Sequence, residues 1–280
     1  MLFAALQRIL PTRFLSWLMY KVTRVEAAWF RVRFIRFFMK LYRIDLAEAV
    51  ETDPDAFPSF NAFFTRALKP GARPLPDDPF AFVSPVDGKV SQLGKIEKTG
   101  IFQAKGHAYS AADLLADPAL AEPFDGGDFC TIYLAPNNYH RIHMPIGGTL
   151  KEWLYVPGRL FSVNPATVAA MPRLFARNER VVCLFDCGFG PMALVLVGAL
   201  FVGSMETVWS GQVTPPHQRG GVARYTEYTK VHLNRGTEMG RFNMGSTVIL
   251  LTPPGVLTWD RAIVPGKPLR MGERLATIER

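Results

Sequence analysis

Three separated stretches of the chain carry the residue types from which a nucleophilic hydroxyl is activated. They are Asn243-Met244-Gly245-Ser246-Thr247, Tyr139-His140-Arg141-Ile142-His143-Met144-Pro145 and Ser84-Pro85-Val86-Asp87-Gly88-Lys89-Val90. A serine, a histidine that takes its proton and a carboxylate that orients the imidazole form one working set. With His143 as base and Asp87 fixing its tautomer, the Ser246 oxygen could attack the carbonyl carbon of Gly245, its own neighbour in the chain. Glycine suits that position, because it leaves the carbonyl unshielded and admits the strained backbone of an N→O acyl shift. A serine hydrolase would use the same residue types on an external acyl group. Gly-x-Ser-x-Gly is absent around Ser246, however, and Val248-Ile249-Leu250-Leu251 predicts a strand there, not a nucleophile elbow. Taken alone, Gly-Ser-Thr and Asp87-Gly88 are also ordinary turn sequences.

His140 and His143 lie three apart, which on a helix would put both on one face as metal ligands. Pro136-Asn137-Asn138 before them and Pro145-Ile146-Gly147-Gly148 after them predict loop and strand, where that spacing points the rings to opposite faces. A metal is therefore disfavoured. Two ordinary structural histidines are the plainer alternative.

These residues have to be positioned by a framework of 280 residues, enough for a full core. After Phe80 the chain alternates short apolar runs with Gly, Pro and Asn: Phe82–Val83, Val90–Leu93, Phe129–Leu134, Leu150–Val156, Arg180–Phe185, Met192–Met205 and Ser246–Leu251. This spacing predicts an all-β core, with Ala111–Leu115 as one helical interruption. Cys187 to Met205 is uncharged, but its glycines and Pro191 favour buried strands over a membrane span. Leu233–Phe242 and Leu269–Ile278 share a glycine turn and an apolar pair, and predict equivalent hairpin corners.

Leu2 to Arg43 is rich in Leu, Phe, Trp and Arg and predicts two helices. Phe57–Leu68 predicts a short helix capped by Ser59, and the Pro-rich Lys69–Pro79 a linker. The formal charge of +8 belongs entirely to residues 1–44, which hold nine Arg and Lys against Glu26 alone; the rest of the chain is formally neutral. Such a segment suits an anionic surface, membrane or nucleic acid. Trp29, Phe30, Phe34, Phe37, Phe38 and Leu41 recur at helical spacing, with Arg31, Arg33, Arg36, Lys40 and Arg43 largely between them. A helix packed on the core with a solvated basic face is one reading, and an interfacial membrane helix the other. The near absence of acids favours the second. Cys130, Cys183 and Cys187 have neither disulfide-framework nor zinc spacing, which fits a reducing compartment, and no secretion signal is expected.

Five separated blocks carry a family resemblance: Gln103–Ser110, Tyr139–Pro145, Leu160–Pro165, Phe175–Arg180 and Gly240–Thr247. Over about residues 50–280 the chain resembles bacterial, self-cleaving phosphatidylserine decarboxylase proenzymes, many of which have Leu where Met244 stands. By that resemblance Asp87, His143 and Ser246 match the self-cleavage triad, and His140 matches a histidine implicated in decarboxylation. Cleavage between Gly245 and Ser246 would leave chains 1–245 and 246–280, with Ser246 turned through dehydroalanine into a covalent pyruvoyl group. That group would form a Schiff base with the amine of phosphatidylserine and release CO₂ and phosphatidylethanolamine, with no metal and no nucleic acid. Lys105, Tyr109, Phe161, Ser162 and Asn164 would line the substrate site. The expected fold is α+β, a mainly antiparallel β-sandwich or barrel core with an N-terminal amphipathic helical segment. Residues 1–69 would be the membrane-docking segment and 70–280 the catalytic domain, peripheral on the cytoplasmic side of the cell membrane. Oligomeric state is left open, a homodimer included. A non-enzymatic β-sandwich carrier or lipid-binding module, and a hydrolase of lipid esters, are the alternatives.

Overall fold

The N-terminal text folds as two helices, α1 (Thr12–Val22) and α2 (Ala28–Tyr42). A computed structural model describes residue 7 and residues 9–97, 100–104, 106–201, 204–215, 220–226 and 230–279. Helix α2 stops where Arg43 turns left-handed at φ 52°, a geometry disfavoured for continuing a helix. It has two apolar faces. Ile35 and Phe38 point inward, and Phe34 and Phe38 lie 4.3 and 4.9 Å from the ring of Phe60. Trp29, Phe37 and Leu41 point outward, 71%, 62% and 58% exposed.

Phe60 opens the short helix α3 (Phe60–Phe64), capped as expected by Ser59, whose Oγ accepts the Ala62 N–H at 3.2 Å. Phe57, Phe60, Phe63 and Phe64 join Ile35 and Phe38 in a small aromatic core, each buried side chain contributing about 1.5–3 kcal/mol. Two of the basic residues of α2 serve this assembly. Arg36 is ion-paired to Asp55 at 2.7 Å, and Arg31 donates to the carbonyls of Asp55 and Phe57. The basic face is thus only partly solvated.

The main core is built on an antiparallel sheet of nine strands. Its path runs Ala223–Tyr225, Gly148–Val156, Arg180–Cys187, Gly190–Val197, Thr247–Thr252, Asp128–Tyr133, Gly88–Lys95 and Pro268–Leu269, with His232–Leu233 also paired to Gly148–Val156. Thr247–Thr252 is central and buried at every residue, which explains its unbroken apolar text. A four-stranded sheet orders Gly211–Thr214, Met205–Thr207, Glu238–Phe242 and Arg141–His143. A three-stranded sheet orders Ala81–Val83, Arg274–Ile278 and Leu257–Trp259. Antiparallel packed sheets are as expected. Neither end of the large sheet's path pairs with the other, so the barrel alternative is corrected to open sheets among the described residues.

The helical interruption forms at Ala111–Leu115. The run Met192–Met205 does not form one strand: Gly190–Val197 lies in the large sheet and Met205–Thr207 in the four-stranded one. The two similar segments turn at Gly236 (φ 78°) and Gly272 (φ 85°), conformations open to glycine. Both turns close on Leu75, whose methyls stand 2.5 and 3.2 Å from where a Cβ on each glycine would be. The following strands enter different sheets.

Candidate active site

Asn243–Ser246 crosses from one sheet to another. Phe242 ends a strand of the four-stranded sheet, and Thr247 begins the central strand of the large one, opposite Tyr133 and Val197. Both ends of the crossing are fixed. The Asn243 side chain donates to Ser204 Oγ at 2.6 Å and Glu206 Oε1 at 2.8 Å and accepts from Asn61 at 3.1 Å, while the Ser246 carbonyl accepts the Leu134 N–H at 2.9 Å. Sequence reading singled out neither Asn61 nor Glu206; no local pattern marks residues that meet only through the fold.

Ser246 is fully buried, and its Oγ has no hydrogen-bond partner among the described residues. His140 is fully buried as well, packed on the Phe64 ring at 4.1 Å. Its Nδ1–H donates to the Asn138 carbonyl at 2.8 Å, an assignment the carbonyl dictates because it can only accept. This leaves the Nε2 lone pair, also unpartnered, 3.5 Å from where a Cβ on Gly245 would stand. Burial, with the Arg66 charge adding to it, pushes His140 down to about 3, so the ring is neutral and basic in form at neutral pH. An orphaned hydroxyl and an orphaned imidazole nitrogen at the Gly245-Ser246 peptide cost stability wherever they are not used.

His143 occupies another environment. It ends the strand Arg141–His143; its Nδ1–H donates to the Gly236 carbonyl at 2.8 Å, and its Nε2 is met by the Tyr139 hydroxyl at 3.0 Å. Burial lowers its pKa, partly offset by the Gly236 carbonyl, and burial pushes Tyr139 up to about 12. Asp87 is close in the chain path, since the His143 N–H donates to the Pro85 carbonyl at 2.8 Å. Its carboxylate, however, is gripped by Arg73 (2.8 and 2.6 Å) and by the Met271 N–H at 2.8 Å. The segments carrying Asp87 and His143 therefore meet through the Pro85 carbonyl, while the two side chains are engaged elsewhere. Arg73 sits in the Pro-rich stretch that reads as a mere linker.

Beside Gly245 lies a cavity of about 340 Å³. Phe38 and Tyr42 of α2 and Phe64 of α3 lie on one side, and Ser162 and Asn164 stand among its other lining residues. The Asn164 carboxamide also caps the next helix at Thr167 N (2.8 Å). Tyr109 and Phe161 are not in the lining. Tyr109 is buried with its ring edge-on to Phe175 at 6.0 Å, and Phe161 is buried with its backbone bonded to the Asn178 side chain. Lys105 lies outside the described residues.

The family described as phosphatidylserine decarboxylase matches residues 60–277, and a second, described as PSD, matches residues 2–43. The chain is 55% identical over 277 residues to a phosphatidylserine decarboxylase proenzyme of Pseudomonas fluorescens strain Pf-5, covering 98% of this chain and 96% of the relative. It is similar to proteins of the same name from Pseudomonas putida strain GB-1 (54% over 278 residues, 98% and 97%) and Alkalilimnicola ehrlichii (57% over 252 residues, 89% and 87%).

Proposed function

The chain belongs to the phosphatidylserine decarboxylase family, and on that footing we propose that it converts phosphatidylserine to phosphatidylethanolamine and CO₂ with a pyruvoyl group made from its own Ser246. One observation carries this reading. Ser246 Oγ and His140 Nε2 are buried, unpartnered polar atoms at the Gly245-Ser246 peptide, beside a largely apolar cavity. Buried polar atoms without a partner are uncommon, and these two stand together at one peptide bond beside a cavity. The surroundings suit such a group: position 246 is enclosed and has the His140 nitrogen nearby.

Self-cleavage starts when the Ser246 oxygen attacks the Gly245 carbonyl. The C–O bond forms as the peptide C–N bond breaks, and elimination then frees the Gly245 carboxylate. Water replaces the remaining nitrogen, which leaves as ammonia. His143, with Asp87 behind it, is the proposed base. The shared backbone at Pro85 supports the pairing, and release of the Tyr139 hydroxyl would expose the Nε2 lone pair. The ketone supplies an electron sink for the bond to the departing carboxylate. His140 is assigned to the proton transfers at the substrate: its unpartnered Nε2, adjacent to position 245, would take a proton from the substrate ammonium and return it to the carbon that CO₂ leaves. That adjacency also favours a second reading, in which His140 takes the Ser246 proton itself. Ser162 and Asn164 are assigned to the headgroup, and Tyr109 and Phe161 to supporting its walls from further out.

Residues 1–69 are proposed to dock the enzyme on the cytoplasmic membrane surface and 70–280 to carry the chemistry. No described helix is long and apolar enough to cross a membrane. Support comes from Phe14 and Trp17 on α1 and Trp29, Phe37 and Leu41 on α2, all exposed, and from the wall that α2 gives the cavity. Acyl chains could stay in the bilayer over α2 while the headgroup enters.

Denaturing electrophoresis of freshly made protein tests the core claim. Two chains should arise without protease, one chain from Ser246→Ala, and two chains without decarboxylation from His140→Ala. Normal cutting of Ser246→Ala would overturn the mechanism. Failure of His140→Ala to cut, with normal cutting of His143→Ala, would select the second reading.

A further inference from the structure

Helix α1 lies against the body with a polar side inward. Thr12 and Ser16 are its buried residues, whereas Phe14, Trp17 and Leu18 are exposed, and none of its side chains belongs to either apolar core. This reverses the usual order of an amphipathic helix. Its directed ties to the body are hydrogen bonds. The Arg13 guanidinium donates to the Gly158 carbonyl at 3.0 Å, and the Tyr20 hydroxyl to Gln212 Oε1 at 3.0 Å. Two further ties end on the catalytic cavity. Ser16 Oγ accepts the Phe201 N–H at 3.2 Å. Gln7, buried just ahead of the helix, accepts the Ser162 N–H on Oε1 at 2.7 Å and donates from Nε2 to Thr167 Oγ1 at 3.3 Å.

Residues 162–164 and 199–201 line the cavity beside Gly245, and neither Gln7 nor Ser16 does. The two lining segments are joined to each other: the Leu200 N–H donates to the Phe161 carbonyl at 3.3 Å, and the Asn178 carboxamide donates to the Phe161 and Gly198 carbonyls at 2.8 Å each. Phe201 stands left-handed at φ 67°, a conformation that a bulky residue keeps only where its surroundings over-determine it. Ser16 Oγ supplies part of that hold. Thr167 is bonded in turn to Asn164, whose Oδ1 accepts its N–H at 2.8 Å, so Gln7 grips both ends of the stretch that carries Ser162 and Asn164. We propose that Gln7 and Ser16 are positioning residues for decarboxylation, fixing the backbone that presents Ser162 and Asn164 to the headgroup and Phe201 to the rim. This rests on the reading of the cavity as the substrate site. Displacing a binding group by about 1 Å can cost about a hundredfold in rate, so a hold at this distance matters to the chemistry.

The test is decarboxylation of monomeric dihexanoylphosphatidylserine by the mature enzyme without vesicles, so that membrane docking does not enter. Gln7→Met, which keeps the side-chain volume, and Ser16→Ala should each raise KM by about fivefold or more. Ser16→Thr, which keeps the acceptor oxygen, should restore it. A role in folding alone would lower the active fraction, and with it the apparent kcat, at unchanged KM. Unchanged KM in both Gln7→Met and Ser16→Ala would therefore overturn the proposal. A rise in one alone would leave positioning to that residue and remove the other, and a Ser16→Thr enzyme as weak as Ser16→Ala would remove the Ser16 hydroxyl. If the wild type cuts itself but releases no CO₂ from this lipid, the reading of the cavity falls and the inference with it; if the wild type turns over and the variants match its KM, the inference falls alone.

Discussion

Neutral, buried His140 makes a quantitative demand on acid stability. Its imidazole titrates near 6.5 when unfolded and near 3 in the fold, because burial penalises the charged form. As pH falls below 6.5 the unfolded chain takes up a proton that the folded chain refuses. The stability contributed by neutral burial is thus complete above about pH 6.5 and is lost progressively as pH falls toward 3. At pH 5 the unfolded ring is almost wholly protonated and the folded ring almost wholly neutral, which costs about 2 kcal/mol relative to pH 7.5. For a chain of 280 residues that is a shift in Tm of about 3–4 °C. The assay is thermal unfolding of Ser246→Ala, expected to stay a single uncut chain, at pH 7.5 and 5.0, beside Ser246→Ala/His140→Gln. His143, also lowered by burial, acts in the same direction in both proteins and cancels. The double variant should lose about 3–4 °C less than the single on acidification. Equal losses would refute the claim that His140 is held neutral, and with it its assignment as an acceptor of protons at working pH.

Three further outcomes are expected. Arg73→Ala leaves the buried Asp87 carboxylate with the Met271 N–H as its remaining partner and should slow self-cleavage at least about tenfold, seen as accumulated precursor on a denaturing gel; unchanged cutting would remove Asp87 from the mechanism. Tyr139→Phe frees His143 Nε2 and should speed cutting, so slower cutting would show that the hydroxyl itself takes part. Trp29→Ser/Phe37→Ser removes two exposed rings from α2 and should weaken vesicle flotation, including at high salt, with cleavage intact; flotation equal to wild type would move the docking surface elsewhere.

Periodicity and punctuation made much of the fold legible. Ser59 as a cap, Ala111–Leu115 as a helix and the buried strand after Ser246 each depend on a few adjacent residues, and each formed as expected. The divergence of His140 and His143 agrees with the loop-and-strand reading: His140 leaves a turn at Asn138 and His143 ends the strand Arg141–His143. What stayed hidden depends on tertiary contact. The run Met192–Met205 is apolar throughout, and only its neighbours decide that its two ends enter different sheets. The double-faced character of α2 was equally invisible, because inward and outward aromatics look alike in text. Arg73 and Tyr139, which occupy Asp87 and His143, are separated from them in sequence or masked by the motif itself.

The placement of Thr247–Thr252 between Gly190–Val197 and Asp128–Tyr133 changes the order of the folding reaction. Before the cut, that strand reaches the centre of the sheet as part of one chain, at the high effective concentration a tether gives. After the proposed cut between Gly245 and Ser246 it would belong to a separate polypeptide, and reinsertion would be a bimolecular event in competition with self-association of Val248-Ile249-Leu250-Leu251, then an unprotected β-forming segment. The precursor should refold from denaturant at a yield insensitive to dilution. The mature enzyme should recover poorly and less well the more it is diluted, so that its lifetime is governed by its unfolding rate alone.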